Sequence, residues 1–173
     1  MPQDAADLHV ERWRDHWVLD EPFDEAVEAA AVRLMRIVRW FDDTTKQAVA
    51  QVGLQDFEYE TLHALMIRDT PGLASPGDLA AATHTSNAGM TGRLEAMERK
   101  GWVKRTASRA DRRRVDVEAT RRGVEIWRRA MHLRGAAENQ LADVLSPREL
   151  ASLNRLLKKV TLHLESQSPD RGA

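Results

Sequence analysis

SPGDLAAATHTSNAGMTGRLEAMERKGWVKRTASRADRRRVDVEAT, residues 75–120, reads as helix, short turn, helix, strand, basic loop, strand. Ser75 can accept from the free N–H groups of a first helical turn. Pro76 loses no needed donor there, and Asp78 completes a capping box. A second start signal follows at Thr83-His84-Thr85-Ser86-Asn87. After it Met90, Leu94 and Met97 fall at i, i+4 and i+7, one apolar stripe of a helix. Gly101 supplies a left-handed stop. Two short helices this close, the second polar at its N-terminal end, have the form of a helix-turn-helix.

Trp102 to Thr106 is strand-like. Val115, Val117 and Ala119 alternate with Asp116 and Glu118, as a half-buried strand should. Between these runs lies Ala107-Ser108-Arg109-Ala110-Asp111-Arg112-Arg113-Arg114, a hairpin with a basic tip, or wing. A lone arginine cluster is usually a solvated loop. At the tip of a hairpin directly after a candidate recognition helix, it points to phosphate or minor-groove contact by Arg109, Arg112 and Arg113. On the second helix, the side away from the Met90 stripe presents Thr85, Ala88, Thr91 and Gly92, flanked by Ser86 and Asn87. These side chains are short enough for close approach to base edges. Thr85, Ser86, Asn87 and Thr91 can hydrogen-bond there.

Leu79 through Gly123 resembles a MarR-family transcription regulator. The resemblance is carried by Leu94-Glu95-Ala96-Met97-Glu98-Arg99-Lys100-Gly101-Trp102-Val103-Lys104-Arg105, by the Asp111-Arg112-Arg113 tip, and by Ala119-Thr120-Arg121-Arg122-Gly123. The family usually has Leu where Ala119 stands. The resemblance implies a mainly α fold with a small β-hairpin wing (α+β), formed of a winged helix-turn-helix lobe and a helical dimerisation lobe. It also implies that Asp111 pairs with a neighbouring arginine and shapes the wing tip. A homodimer would set two recognition helices about one duplex turn apart, on an inverted-repeat operator. A repressor of nearby genes is the role expected by analogy.

The net charge of −1 hides a division. Residues 1–84 carry 7 Lys/Arg against 16 Asp/Glu, net −9; residues 85–134 carry 14 against 6, net +8. The basic block coincides with the second helix, the wing and the helix after it, as expected of a face that meets a polyanion. There is no cysteine, which excludes disulfides and thiolate metal sites. The six histidines are scattered, with no metal-ligand spacing. Neither a nucleophile motif nor a glycine-rich phosphate loop is present. The expectation is a protein that is not an enzyme and takes no cofactor. No apolar run approaches a membrane span, and MPQDAADLHV is acidic and polar, unlike a signal peptide. A cytoplasmic, nucleoid-associated protein without membrane contact is expected. A winged helix that binds protein, or a regulator without a small ligand, is the alternative.

The 173 residues suit one domain, residues 1–173. Residues 4–20 form an amphipathic segment in which Trp13 and Trp17 would share a helix face. From Asp24 to about Val52, Val27, Ala30, Leu34, Val38, Phe41, Thr45, Ala48 and Val52 recur at three or four residues. A helix there spans about 40 Å and would bridge the two lobes. A third helix is expected from about Gln55 to Asp69. The winged helix-turn-helix lobe is then 54–120. The dimerisation helices are 24–52 and 121–165, and residues 166–173 form a disordered tail. Thr120 caps a helix expected to reach Leu145, with Val124, Trp127, Met131, Leu141 and Leu145 on one side. Ser146-Pro147-Arg148-Glu149 is a second capping box. The last helix carries Leu150, Leu153, Leu157, Val160 and Leu164, an apolar row that calls for a second copy of the chain.

Arg93 sits about a quarter turn from the core stripe and Arg105 at the base of the wing. Two cations near an aromatic N-terminal helix suit a small aromatic or polycarboxylate anion. Pairing of both with local carboxylates such as Glu60 is the plainer alternative. A tryptophan-bearing helix ahead of the long helix is also similar to the urate-responsive branch of the family. That resemblance implies a ligand site of Trp17, Glu60, Arg93 and Arg105, for urate or another organic anion. The branch has Asp where Glu60 stands, and Trp13 is a rival for the tryptophan. In the branch's logic Glu60 pairs with Arg105, and an entering anion displaces it and moves the recognition helix through Arg93.

Overall fold

The computed structural model describes residues 2–14, 16–18, 22–108 and 114–167. Among these the elements run α1 (Ala5–Arg14), α2 (Glu25–Gln51), α3 (Asp56–Met66), β1 (Leu73–Ala74), α4 (Pro76–Ala82), α5 (Asn87–Arg99), β2 (Val103–Ala107), β3 (Val115–Ala119), α6 (Arg121–Glu138), α7 (Gln140–Val144) and α8 (Pro147–Gln167). The fold is mainly helical with a three-stranded antiparallel sheet. The chain divides into two compact units, residues 1–131 and 132–173. No described helix is long and apolar enough to cross a membrane.

In the first unit, α1 packs on α2 through buried Ala6 and Val10. Ion pairs pin it there. The Arg33 guanidinium lies 2.8 Å from Asp4 and 2.6 Å from Asp7, and Arg14 lies 2.6 Å from Glu25. The Arg33 hydrogen bond holds the Asp4 carboxyl at about 2. The helix ends at Arg14, so Trp17 lies beyond it rather than one turn on along the same face. Trp17 packs edge-on to Trp13 at 6.3 Å and against Phe23 at 4.8 Å.

The Asp24 carboxylate caps α2, accepting from the Ala26 and Val27 N–H groups, and Gly53 at φ +79° ends it. The expected periodic row is only partly buried. Ala48 and Val52 are inside, with Val32 and Val49, whereas Val27, Leu34 and Val38 are open in the single chain. A three-four repeat identifies an apolar face without saying what covers it. Helix α3 stops at Met66, short of the expected Asp69. The Gly72 N–H reaches back to the Leu65 carbonyl at 2.9 Å, turning the chain into β1.

That two-residue strand is an addition to the expected hairpin. The sheet order is β1-β3-β2, with Leu73 opposite Glu118, and with Val103 and Ala107 of β2 opposite Ala119 and Val115 of β3. Val117 is fully buried, while Val115 is exposed near the hairpin end. Met90, Leu94 and Met97 of α5 join Leu62 and Leu65 of α3, Leu79 of α4 and Val103 of β2 in the core of this unit.

The helix expected from Thr120 to Leu145 is two helices, broken at Asn139. The Ala142 N–H donates to the Asn139 carbonyl, three residues back, which tightens the chain at a weak helix former. Along α6 the buried positions are Gly123, Ile126, Ala130 and Ala137; Val124, Trp127 and Met131 are half-buried. In the second unit α7 packs on α8. The Ser146–Glu149 capping box forms, with the Ser146 N–H 2.8 Å from the Glu149 carboxylate. None of the residues of α8 is buried.

Candidate nucleic-acid interface

The presentation of α5 begins with the turn before it. Ser75 and Asp78 cap α4 reciprocally at 3.1 and 3.3 Å. The chain leaves α4 at Thr83, whose hydroxyl donates to the Leu79 carbonyl at 2.8 Å. His84 then takes a left-handed conformation, φ +49°, and the Thr85 N–H returns to the Ala80 carbonyl at 2.9 Å. Ser86 caps α5, accepting from the Gly89 N–H at 3.1 Å. With Met90, Leu94 and Met97 in the core, the opposite face at the N-terminal end is fixed. Ser86, Asn87, Ala88, Thr91 and Gly92 are exposed on it and Thr85 is half-buried. Among the described residues, no atom outside the helix stands within 4 Å of where a Gly92 side chain would begin.

The Thr85 hydroxyl donates to Thr83 O and the Thr91 hydroxyl to Asn87 O, so each oxygen keeps acceptor capacity for an outside group. The exposed Asn87 carboxamide has no hydrogen-bond partner among the described residues. A carboxamide of this kind can both donate to and accept from one base edge.

Three carboxylates hold α5 from its sides. Glu60 of α3 lies 3.1 Å from the Arg93 guanidinium, which also lies over the Phe57 ring at 5.7 Å. Glu58 of α3 lies 2.7 Å from the Lys100 ammonium. Glu98 accepts from the Arg105 backbone N–H at 3.0 Å and from its guanidinium at 2.9 Å. Those bonds, the backbone one first, hold the Glu98 carboxyl below its ordinary value. The expected pairing of Glu60 with Arg105 is therefore replaced. Glu60 holds Arg93, and Arg105 belongs to Glu98. Arg105 is seven residues from Glu98 and its backbone is already bonded to that carboxylate, so the local partner prevails. The structure brings Glu60 and Arg93 together and seats Trp17 with Trp13 and Phe23.

The hairpin closes through the Ser108 N–H, which donates to the Arg114 carbonyl at 2.9 Å. Lys104 and Glu118 pair across it at 2.6 Å. The wing residues Arg109, Asp111, Arg112 and Arg113 lie outside the described residues.

A cavity of about 500 Å³ opens between α3 and the turn before α5. Tyr59, Glu60, His63 and Arg68 line one wall, and Thr83 and His84 the other. Tyr59 and His63 stack at 5.4 Å, and the Trp127 indole N–H donates to His63 Nδ1 at 3.4 Å. Sequence reasoning passed over His63 and His84. Glu60, His63 and Ile67 do recur at helical spacing, but an imidazole on a polar helix face carries no specific signal before its neighbours are known.

A model of the MarR family matches residues 52–114. The HTH-type transcriptional regulator PecS of Dickeya dadantii is 28% identical over 157 residues, 90% of this chain and 92% of its own. Among solved structures, AbsC, a MarR family transcriptional regulator from Streptomyces coelicolor, superposes with a TM-score of 0.62 at 26% identity, covering 87% of this chain and 98% of its own. A mutant of MepR from S. aureus, bound to an oligodeoxyribonucleotide, shares the fold with a TM-score of 0.60 at 21% identity, covering 78% and 97%.

Proposed function

Because this chain belongs to the MarR family of winged helix-turn-helix transcription regulators, DNA-binding proteins that are not enzymes, we propose that it is a homodimeric repressor released by a small organic ligand. The observation that carries the reading is the N-terminal end of α5, a face of short polar side chains backed by a fully buried apolar stripe. Thr85, Ser86, Asn87 and Thr91 read base edges in the major groove. Arg109, Arg112 and Arg113 of the wing neutralise phosphate or enter the minor groove, and Asp111 shapes the tip. The operator is an inverted repeat in the nucleoid, in keeping with a two-fold dimer. Residues 54–120 then act as the DNA lobe, and residues 24–52 and 121–165 supply the dimer contacts.

The test is selection of bound duplexes from a random library, followed by titration at several salt concentrations. Arg112→Ala with Arg113→Ala should weaken binding to every duplex and lower the slope of log K against log salt by about 3.6, two arginines in each of the dimer's two wings at about 0.9 apiece. A slope equal to that of the unaltered protein would sink the wing assignment.

The ligand reading rests on Glu60, which both lines the cavity and holds Arg93 of the recognition helix. An anion at this point competes with Glu60 for Arg93. If it binds better when α5 is displaced, it shifts the population away from DNA. Trp17 and Arg105 enter this site through the resemblance to the urate-responsive branch. Urate, hypoxanthine, aconitate, citrate, salicylate and simple phenols form the panel for a thermal-shift screen. A ligand held at 100 times its Kd adds about 2.7 kcal/mol to the folded state. One compound is expected to raise the midpoint, and to lose that effect in Arg93→Ala. A flat panel would return Arg93 and Glu60 to a purely internal ion pair.

A further inference from the structure

The recognition helix is tied to α3 by two ion pairs, and one of their carboxylates is wholly buried. Glu58 is 0% exposed, whereas Glu60 stands on the surface. Glu58 Oε2 accepts from the Gln55 N–H at 2.9 Å and so caps its own helix. Glu58 Oε1 lies 2.7 Å from Lys100 Nζ and has no other partner among the described residues. A carboxylate taken out of water needs its counter-charge close and in one place. Lys100 is the C-cap of α5, directly before Gly101 at φ +74°. The ion pair therefore ties the C-terminal end of α5 to α3.

We propose that Glu58 is a positioning residue for DNA reading, acting through Lys100 to set the angle at which α5 presents its N-terminal face. This rests on the reading of α5 as the recognition helix. Helix α5 has 13 residues, so it is about 20 Å long. A tilt of about 5° at its anchored end moves the other end by about 1.7 Å, far more than a hydrogen bond to a base edge tolerates. The packing of Met90, Leu94 and Met97 holds the helix down. Apolar contact is non-directional, however, and resists sliding and rotation less than an ion pair whose carboxylate is buried, although its Lys100 end is open to water. The Glu98–Arg105 pair ties α5 to β2 and not to α3. Glu60–Arg93 ties it to α3 through an exposed carboxylate. Glu58 is thus the fixed point of the α3–α5 contact and Glu60 the exchangeable one.

The test compares two duplexes, one enriched from a random library by the unaltered protein and one of scrambled sequence. The central variant is Glu58→Gln with Lys100→Met. Gln keeps an acceptor for the Gln55 N–H and the pair leaves no buried charge; its buried NH2 costs some stability, so circular dichroism first checks that the variant is folded at the assay temperature. Affinity for the enriched duplex is expected to fall about tenfold, the equivalent of one base contact, with scrambled-duplex affinity within about twofold and the salt slope unchanged. Lys100→Arg alone, with Glu58 intact, should retain most of the discrimination. A role confined to stability would lower both affinities together and only near the melting temperature. A direct phosphate contact by Lys100 would lower both and reduce the salt slope. Either result overturns the proposal, as does an unchanged ratio in the folded double variant. Failure of the unaltered protein to enrich any duplex overturns the recognition-helix reading, and the proposal with it.

Discussion

Gly123→Ala is expected to destabilise the protein by about 3 kcal/mol. A Cβ at this position would lie 2.0 Å from the Trp102 carbonyl oxygen and 2.9 Å from its carbon. The obstacle is backbone, and it is already committed. The Trp102 carbonyl accepts from the Thr120 N–H at 3.0 Å, and the Thr120 hydroxyl donates to the neighbouring Gly101 carbonyl at 2.6 Å. Thr120 in turn caps α6, its hydroxyl oxygen accepting from the Gly123 N–H at 3.0 Å. The methyl can be admitted only if the first turn of α6 lifts away and these bonds lengthen together. Urea unfolding followed by circular dichroism measures the loss. A change below about 1 kcal/mol would mean that the start of α6 can shift freely. That would remove Gly123 as the reason the turn at Trp102 and the start of α6 meet closely.

Leu157→Asp with Val160→Asp is expected to weaken self-association by about a thousandfold. Helix α8 buries none of its residues in the single chain, and Val160 is 51% exposed. On α2, Val38 is 66% exposed with Val27 and Leu34 beside it in the same periodic row. Two long helices, each with an apolar row open to water, fit a second copy of the chain as cover. An unpaired carboxylate buried in such a contact costs about 3–5 kcal/mol, and a thousandfold change is about 4 kcal/mol. Sedimentation velocity across a concentration series should show a monomer for the variant and the proposed dimer for the unaltered protein. Operator affinity should fall with it, since one half-site no longer delivers the other. A variant that remains dimeric with unchanged affinity would move the contact off α8.

What could be read from the chain alone was mostly local. Ser75-Pro76 with Asp78, and Ser146-Pro147 with Glu149, announce helix starts because side chain and backbone meet within four residues. Met90, Leu94 and Met97 are legible because a buried stripe repeats with the helix. The alternation around Val117 marks a strand for a similar reason. Partners distant in sequence were not legible. Leu73 and Ala74 form a strand because β3 lies beside them, and two residues are too few to show a period. The break at Asn139 carries neither Gly nor Pro. In the candidate site, Glu60 is a possible partner of both Arg93 and Arg105 and the resemblance favours Arg105, whereas the structure gives it Arg93; Glu58 with Lys100 gives no local sign. Their meeting depends on how α3 packs against α5, two helices with β1 and α4 between them in the chain.

Gly92 has a practical consequence. No described residue crowds that position, and alanine would suit the helix better by about 1 kcal/mol. Directed evolution for heat tolerance would therefore reach Gly92→Ala early, because a thermal screen sees only the gain. The harvested protein would carry a methyl on the face proposed to approach the bases. It would be sturdier and a poorer reader. A campaign that alternates heating with operator capture would separate the two properties, and position 92 is where they would first part.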